Sequence, residues 1–183
     1  MTGPTLRDQI QFAYEGGLTW RFHTCPGLRI NTNAAHQHGV AMMCYWLSGG
    51  APRSELLMAA LTHDAAEQVV GDVPAPTKQY LGAEQLDGLE EDARRAYGLA
   101  YCLTDDEKRR LALADALDGL LYCSTELTLG NRRFTMIGSR WVGWIIDGHK
   151  KTATAHEWAV AEAVLEIWLE AENGAPPRRF DLG

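Results

Sequence analysis

The chain has 183 residues, of which 46% are hydrophobic, 9% aromatic and 22% charged, the balance of an ordinary globular protein and not of a fibrous or disordered one. Its formal charge of −7, from 17 Lys and Arg against 24 Asp and Glu, excludes a generic binder of polymeric nucleic acid or anionic membrane, which presents a basic face. No apolar run approaches the roughly 18 residues that cross a bilayer, and the opening MTGPTLRDQ has neither the basic nor the apolar region of a secretory signal.

A cytoplasmic protein is therefore expected. Its cysteines, Cys25, Cys44, Cys102 and Cys123, form no CxxC pair and read as reduced thiols packed as small hydrophobes.

Helical periodicity dominates from the start. Leu6, Ile10, Ala13 and Tyr14 share one face of a first helix, which Gly16-Gly17 ends. After a loop through Pro26-Gly27, Asn31-Thr32-Asn33 offers N-caps to a second helix, AAHQHGVAMMCYWL, apolar almost all round and so expected in the core. Ser54 caps a third, SELLMAALTHDAAEQVV, closed by Gly71. The two prolines in DVPAP demand an extended or turning segment. Ala83 to Leu99 reads as a charged surface helix whose Glu90-Glu91-Asp92 run faces solvent.

Thr104-Asp-Asp-Glu107 is a capping box that opens the longest helical pattern of the chain, stopped at Gly130-Asn131. Two further helices follow, roughly Phe134 to Ile146 and Thr154 to Ala171. The spacing of Trp158, Ala161, Leu165 and Trp168 makes a packing stripe, part of which could face another copy of the chain. With no useful strand alternation and no repeat, the expectation is one all-α domain of seven or eight helices over residues 1–175, with 176–183 a loosely held tail.

The informative residues are His36, His63, Asp64 and Asp115. An HD dipeptide alone carries little, but His63-Asp64 lies in an apolar helix where a buried ionic pair costs several kcal/mol unless something compensates. Glu67, at i+4 from His63 and i+3 from Asp64, shares their face. Three ionisable groups within five residues of a buried helix need a common partner, and a divalent cation supplies it. His36, in the apolar second helix, and Asp115, in LALADALDGLL, are the further ligands expected from neighbouring helices. Taken alone, His36 also reads as a satisfied core histidine. Two imidazoles and two carboxylates suit Mn, Fe, Co, Ni or Zn better than Mg or Ca. They leave positions open for water and substrate, the mark of a catalytic site.

These residues reproduce the H…HD…D signature of the HD-domain phosphohydrolases. The stretch HDAAEQVVGDVPAPTK, His63 to Lys78, resembles the 5′-deoxynucleotidase branch, whose pattern reads HDxxExxxGDxPxPxK. Arg21 matches that branch's arginine in an R-aromatic motif, with Phe22 where tryptophan is common, and ADALDGLLYCSTELTLGN is similar to its last metal helix. There are departures: Ala112 stands where a lysine is frequent, and the segment between Asp72 and Asp115 looks shorter, as in the phage dATP triphosphohydrolases of the same branch. No GYP motif follows the HD pair, which disfavours cyclic-dinucleotide phosphodiesterases, and the alarmone hydrolases lack the GDxPxP run.

The resemblance implies an HD-domain helical bundle that hydrolyses the O5′–Pα bond of a 2′-deoxynucleotide. Either a dNTP releases triphosphate or a dNMP releases phosphate, with deoxyadenosine nucleotides favoured. It implies metal ligation by His36, His63, Asp64 and Asp115, with an additional Mg possible for a triphosphate. Glu67 is expected to orient or deprotonate the water and Asp72 to deliver a proton to O5′. Arg21 and Lys78 are expected on phosphate oxygens, Phe22 on the sugar edge, and Trp20 and His23 among the substrate contacts. Arg132, Arg133, Lys150 and Lys151 could serve a triphosphate tail but read equally as surface charges. Further copies of the chain, as a dimer or hexamer, are the expected partners. The alternative is a non-catalytic helical module that binds or senses a nucleotide.

Overall fold

The structure is a computed structural model and describes residues 3–175; the tail expected over 176–183 lies outside the described residues. Its helices, in chain order, are α1 (Leu6–Gly16), α2 (Asn33–Leu47), α3 (Ser54–Thr62), α4 (Glu67–Val70), α5 (Ala75–Leu81), α6 (Ala83–Ala96), α7 (Asp105–Thr128), α8 (Phe134–His149) and α9 (Ala155–Glu172). Seven of them run nine residues or more, whereas α4 and α5 are short turns of helix. The described residues form no strand; one isolated antiparallel bridge joins Trp20 to Thr32. Among them no helix is long and apolar enough to cross a membrane.

Helix α7 is the axis of the molecule, with α2, α8 and α9 packed around it. Its start is set by the expected box: Thr104 Oγ1 accepts from Glu107 N at 3.2 Å, and Glu107 Oε2 accepts from Thr104 N at 2.9 Å. Leu113, Leu117, Leu120 and Cys123 are fully buried on it, and each such side chain is worth about 1.5–3 kcal/mol. Burial also pushes the Cys44 and Cys123 thiols up to about 12, so both are core hydrophobes in behaviour. The tryptophan stripe of α9 packs inward, with Trp168 and Ala161 buried and Trp158 and Leu165 against the same core.

A buried ion-pair cluster locks α9 to α7. Glu157 caps α9 through Thr154 N at 2.7 Å and accepts from Arg109 Nη1 at 2.8 Å and Arg110 Nε at 2.6 Å. Burial opposes its charge, but these donors outweigh that and bring its carboxyl from 4.5 down to about 2. A carboxylate whose folded pKa is depressed contributes stability above its unfolded pKa and loses it as pH falls through the folded value. Glu157→Gln is therefore expected to cost about 3 kcal/mol at pH 7 and much less near pH 2, as urea midpoints at the two pH values will show.

Three expectations are corrected. The third helix is broken: α3 stops at Thr62, and Ala65 N→Thr62 O (3.0 Å) and Glu67 N→Asp64 O (3.0 Å) make a tight turn before α4. The carbonyls released there are taken up from outside, His63 O by Arg94 Nη1 at 2.8 Å and Asp64 O by Asn33 Nδ2 at 3.1 Å. Second, α1 turns the other way. Phe12 stacks on Tyr97 at 3.9 Å and 9°, and Gly16 is pressed so close to Ala65 that a Cβ would lie 2.5 Å from its carbonyl oxygen. Leu6, Ile10 and Tyr14 consequently face outward. Third, Glu90 is not solvated but buried, paired with Lys78 Nζ at 3.3 Å and Arg94 Nη1 at 3.7 Å.

Candidate metal centre and active site

The turn between α3 and α4 presents His63 and Asp64 to His36 on α2 and Asp115 on α7. His36 Nε2 lies 3.3 Å from His63 Nε2, 3.5 Å from Asp64 Oδ2 and 3.0 Å from Asp115 Oδ1. His63 Nε2 is 3.3 Å from Asp64 Oδ2. His36, His63 and Asp64 form a set whose ligand atoms all lie within 4.8 Å of one another, and Asp115 adjoins it through His36. Ligand atoms in adjacent positions on one ion at about 2.1 Å stand about 3.0 Å apart, so the cluster has the spacing of a shared ion.

Proton bookkeeping makes the same point. His63 Nδ1 faces the carbonyl oxygen of Ala60 at 2.8 Å and must donate to it, while His36 Nδ1 sits 2.6 Å from Asp118 Oδ2. Both neutral rings then carry their proton on Nδ1 and aim Nε2 lone pairs at each other and at two carboxylates. Asp115 Oδ1 is buried without a hydrogen-bond partner. A divalent cation satisfies all four groups at once, so the residues present fit a metal ion. The electrostatics show the same demand for positive charge, here met by a proton. Burial opposes a charged His63, yet Asp64 outweighs it and lifts the imidazole to about 9. Burial likewise opposes ionisation of Asp64, and His63 and Arg21 overcome it, holding the carboxyl well below the usual range.

The expected catalytic carboxylates flank this cluster. Glu67, at the start of α4, is buried and accepts from Asn33 Nδ2 at 2.9 Å. Burial and the Asp64 charge push it up to about 7. Asp72 Oδ2 accepts from Phe22 N at 3.0 Å and has His23 Nδ1 at 3.6 Å.

The segment bearing Arg21 is tied down by Arg21 N→Asn31 O (2.9 Å) and Asn33 N→Thr19 O (2.9 Å). Its guanidinium pairs with Asp64, and its Nε is buried without an acceptor. Phe22 has φ 57°, a left-handed conformation that costs a non-glycine residue about 1–2 kcal/mol. It turns the Phe22 amide to Asp72, while its ring stacks on Tyr122 at 5.0 Å and meets Phe134 edge-on at 5.6 Å. Most of the ring expected on the sugar is thus committed to its neighbours. Trp20 is exposed, and Lys78 feels the charges of Glu67 and Asp64 while bound to Glu90. Arg132 donates to Glu172 O at 3.1 Å and Lys150 lies over the Trp158 ring at 5.2 Å, so these two cations serve the α8–α9 side.

Two supports, Asn33 and Asp118, are not among the site residues expected from the sequence, and a third, Glu126, is visible there only as the glutamate of the tract that ends at Gly130-Asn131. Asn33 was read only as a cap, yet it braces both Asp64 O and Glu67. Glu126 is fully buried and accepts from Leu28 N (2.7 Å), Arg29 N (2.9 Å) and Asn131 Nδ2 (2.7 Å), holding the loop that follows Phe22. Asp118 fixes the His36 ring. It lies one helical turn beyond Asp115, at i+3 on the same face, and that spacing was the available signal. Gly39 leaves room for it, since a Cβ there would fall 1.8 Å from Asp118 Oδ1. Asp118→Ala is expected to weaken metal binding about 10- to 100-fold with the helical fold intact, and Gly39→Ala to act in the same direction, both read by chelator competition.

Comparison with known proteins gives two likenesses. The 5′-deoxynucleotidase YfbR of Escherichia coli is 28% identical over 145 residues, covering 66% of this chain and 73% of that protein, with the same values for the K12 and O157:H7 strains. The cyanophage S-2L HD phosphohydrolase DatZ, solved bound to dA and one catalytic Zn2+ ion, superposes with a TM-score of 0.70 over 89% of this chain and 96% of its own, at 16% identity. The second is a likeness of fold. No family model matches the chain.

Proposed function

We propose, from its likeness to the 5′-deoxynucleotidase YfbR and to the fold of DatZ, that this chain is an HD-domain, 5′-deoxynucleotidase-like protein and a metal-dependent hydrolase of the O5′–Pα bond of 2′-deoxynucleotides. The observation that carries this reading is the meeting of His36, His63, Asp64 and Asp115 beside Glu67 and Arg21. Co, Zn, Mn or Fe suits that mixed donor set, and the ion supplies Lewis-acid activation of water and neutralisation of phosphate charge. His36, His63, Asp64 and Asp115 would hold it.

Arg21, with its buried Nε and its head group on Asp64, donates to phosphate oxygens and sets the phosphorus in place. Glu67 takes one proton from the attacking water as its oxygen bonds to the α-phosphorus. Asp72 gives a proton to O5′ as the O5′–Pα bond breaks, so the products are a deoxynucleoside and phosphate or triphosphate. Lys78 adds positive charge at the phosphate side. Trp20, exposed beside Arg21, and His23, beside Asp72, line the approach for the nucleoside.

Between the two substrates, a monophosphate is the first to try: two of the four cations that a triphosphate tail could use already have partners, Arg132 at Glu172 O and Lys150 over the Trp158 ring. A triphosphate would call for an additional Mg. YfbR bears the name 5′-deoxynucleotidase and DatZ was solved with dA, which supports deoxyadenosine nucleotides as the first to try. The non-catalytic alternative is not favoured, because Glu67 and Asp72 are both retained around the cluster. The same reading places the protein in the cytoplasm, of a bacterium or of a phage-infected cell, where such nucleotides occur.

The test is to strip the protein of metal, restore Mn, Co or Zn, and assay a panel of dNMPs and dNTPs, separating phosphate from triphosphate by mass. Release of either from a deoxynucleotide is expected; no cleavage with any of the three ions would overturn the reading.

A further inference from the structure

Asp72 receives two groups from one short stretch of chain. The Phe22 amide donates to its Oδ2 at 3.0 Å, and His23 Nδ1 lies 3.6 Å from the same oxygen. Both reach it because Phe22 holds φ 57°, so that its own N–H and the side chain of the next residue converge on one carboxylate. A non-glycine residue keeps a left-handed backbone only where its surroundings enforce it, and the turn is closed behind it by Cys25 N→Phe22 O at 2.8 Å. The other oxygen, Oδ1, has no hydrogen-bond partner among the described residues. The Asp72 side chain is 17% exposed and that of His23 46%, so the carboxyl is largely covered while the imidazole reaches water. The charges around the pair are Arg21 and Glu67, both of which feel that of Asp72.

What this pair can do rests on the reading of Asp72 as the group that gives O5′ its proton. An acid that loses a proton at every turnover has to regain one. While substrate covers the acid, the supplier has to be a side chain that touches both the acid and water, and histidine is the side chain that exchanges protons with water near neutral pH. We propose that His23, beyond lining the approach, supplies Asp72 with the proton that goes to the leaving group. In the step, Oδ1 gives its proton to O5′ as the O5′–Pα electron pair passes to that oxygen. Oδ2 takes the Nδ1 proton of the His23 imidazolium at the same time, so carboxyl and imidazole both end neutral. Once the products leave, water returns one proton to the imidazole and carries the carboxyl proton back to Oδ1. The 3.6 Å separation tightens to a hydrogen bond in the substrate complex, as contacts of this kind commonly do. His23 acts on the chemistry only through Asp72.

The test compares two leaving groups on the metal-restored protein. One substrate is dAMP, or whichever deoxynucleotide the wild type cleaves. The other is its analogue with sulfur in place of O5′, which keeps the nucleoside and the phosphate but departs as a thiolate that needs no proton. His23→Gln keeps a hydrogen-bond donor for Asp72 and has no proton to give. On the oxygen substrate it is expected to lower kcat about 10-fold with KM within about threefold of wild type, and Asp72→Asn to lower kcat further. On the sulfur analogue both variants are expected to stay within about threefold of wild type. Adding His23→Gln to Asp72→Asn should cost nothing more on the oxygen substrate, because the two act in series. A His23→Gln protein as fast as wild type on the oxygen substrate would overturn the proposal. So would equal slowing on both substrates, the mark of a nucleoside contact or of a role in shaping the loop, and so would a double variant slower than Asp72→Asn. An Asp72→Asn protein as fast as wild type, or a wild type that cleaves no deoxynucleotide, would remove the reading beneath the proposal and the proposal with it. Those two failures are told apart from the others without any His23 variant.

Discussion

Replacing His63 or Asp115 by alanine is expected to abolish metal binding and nucleotide hydrolysis together, with the helical fold retained. The two residues come from different elements, the α3–α4 turn and α7, and each loss acts on the same group of atoms: His63 Nε2 lies 3.3 Å from His36 Nε2, and Asp115 Oδ1 lies 3.0 Å from it. Removing either leaves the remaining carboxylates and imidazole lone pairs without a complete ligand set. It does not empty the main core, which is built from Leu113, Leu117, Leu120 and their neighbours. Metal content by mass spectrometry, read beside activity and circular dichroism, checks this. A His63→Ala protein that keeps one equivalent of metal with near-normal affinity would contradict the ligand assignment.

Glu67→Gln separates chemistry from metal binding. Glu67 is buried beside the cluster, and its Oε2 already accepts from Asn33 Nδ2 at 2.9 Å. The glutamine keeps the shape and can still meet Asn33, but it cannot accept a proton from water. A loss of about 10²-fold or more in kcat is expected, with metal affinity within a few-fold of wild type. Loss of the ion on this substitution would make Glu67 a ligand and remove the base from the proposed mechanism.

What was legible in the sequence follows from how local each signal is. The Thr104 capping box, the Gly130-Asn131 stop and the uninterrupted apolarity of α7 depend on neighbours within a few residues, and α7 begins and ends close to where they place it. His36, His63 and Asp64 were legible because charged groups in apolar helices demand a partner. The break at His63 was not, since SELLMAALTHDAAEQVV has no helix-breaking residue. The break is held by partners far along the chain, Asn33, Arg94 and the close approach of Gly16. The inward face of α1 was misread for a related reason: its periodicity marks an apolar face correctly but cannot say whether the rest of the chain covers it. Asp118 is intermediate. Its spacing from Asp115 was visible, but nothing local says that the ring of His36 stands beside it.

The fold also explains why the site sits where it does. The α3–α4 turn lets His63 and Asp64 leave a helical path and face both α2 and α7, while Asn33, Arg94 and Gly16 hold it from three sides. The Phe22 amide, turned by its positive φ, brings Asp72 to the same opening as Arg21.

The most direct test is anomalous diffraction from crystals of the metal-stripped protein soaked with Co or Zn. The account predicts one ion per chain, in contact with His36 Nε2, His63 Nε2, Asp64 and Asp115, and with Nδ1 of His36 still on Asp118. An ion bound elsewhere, or bound by the HD pair with the α7 aspartate turned to solvent, would contradict it.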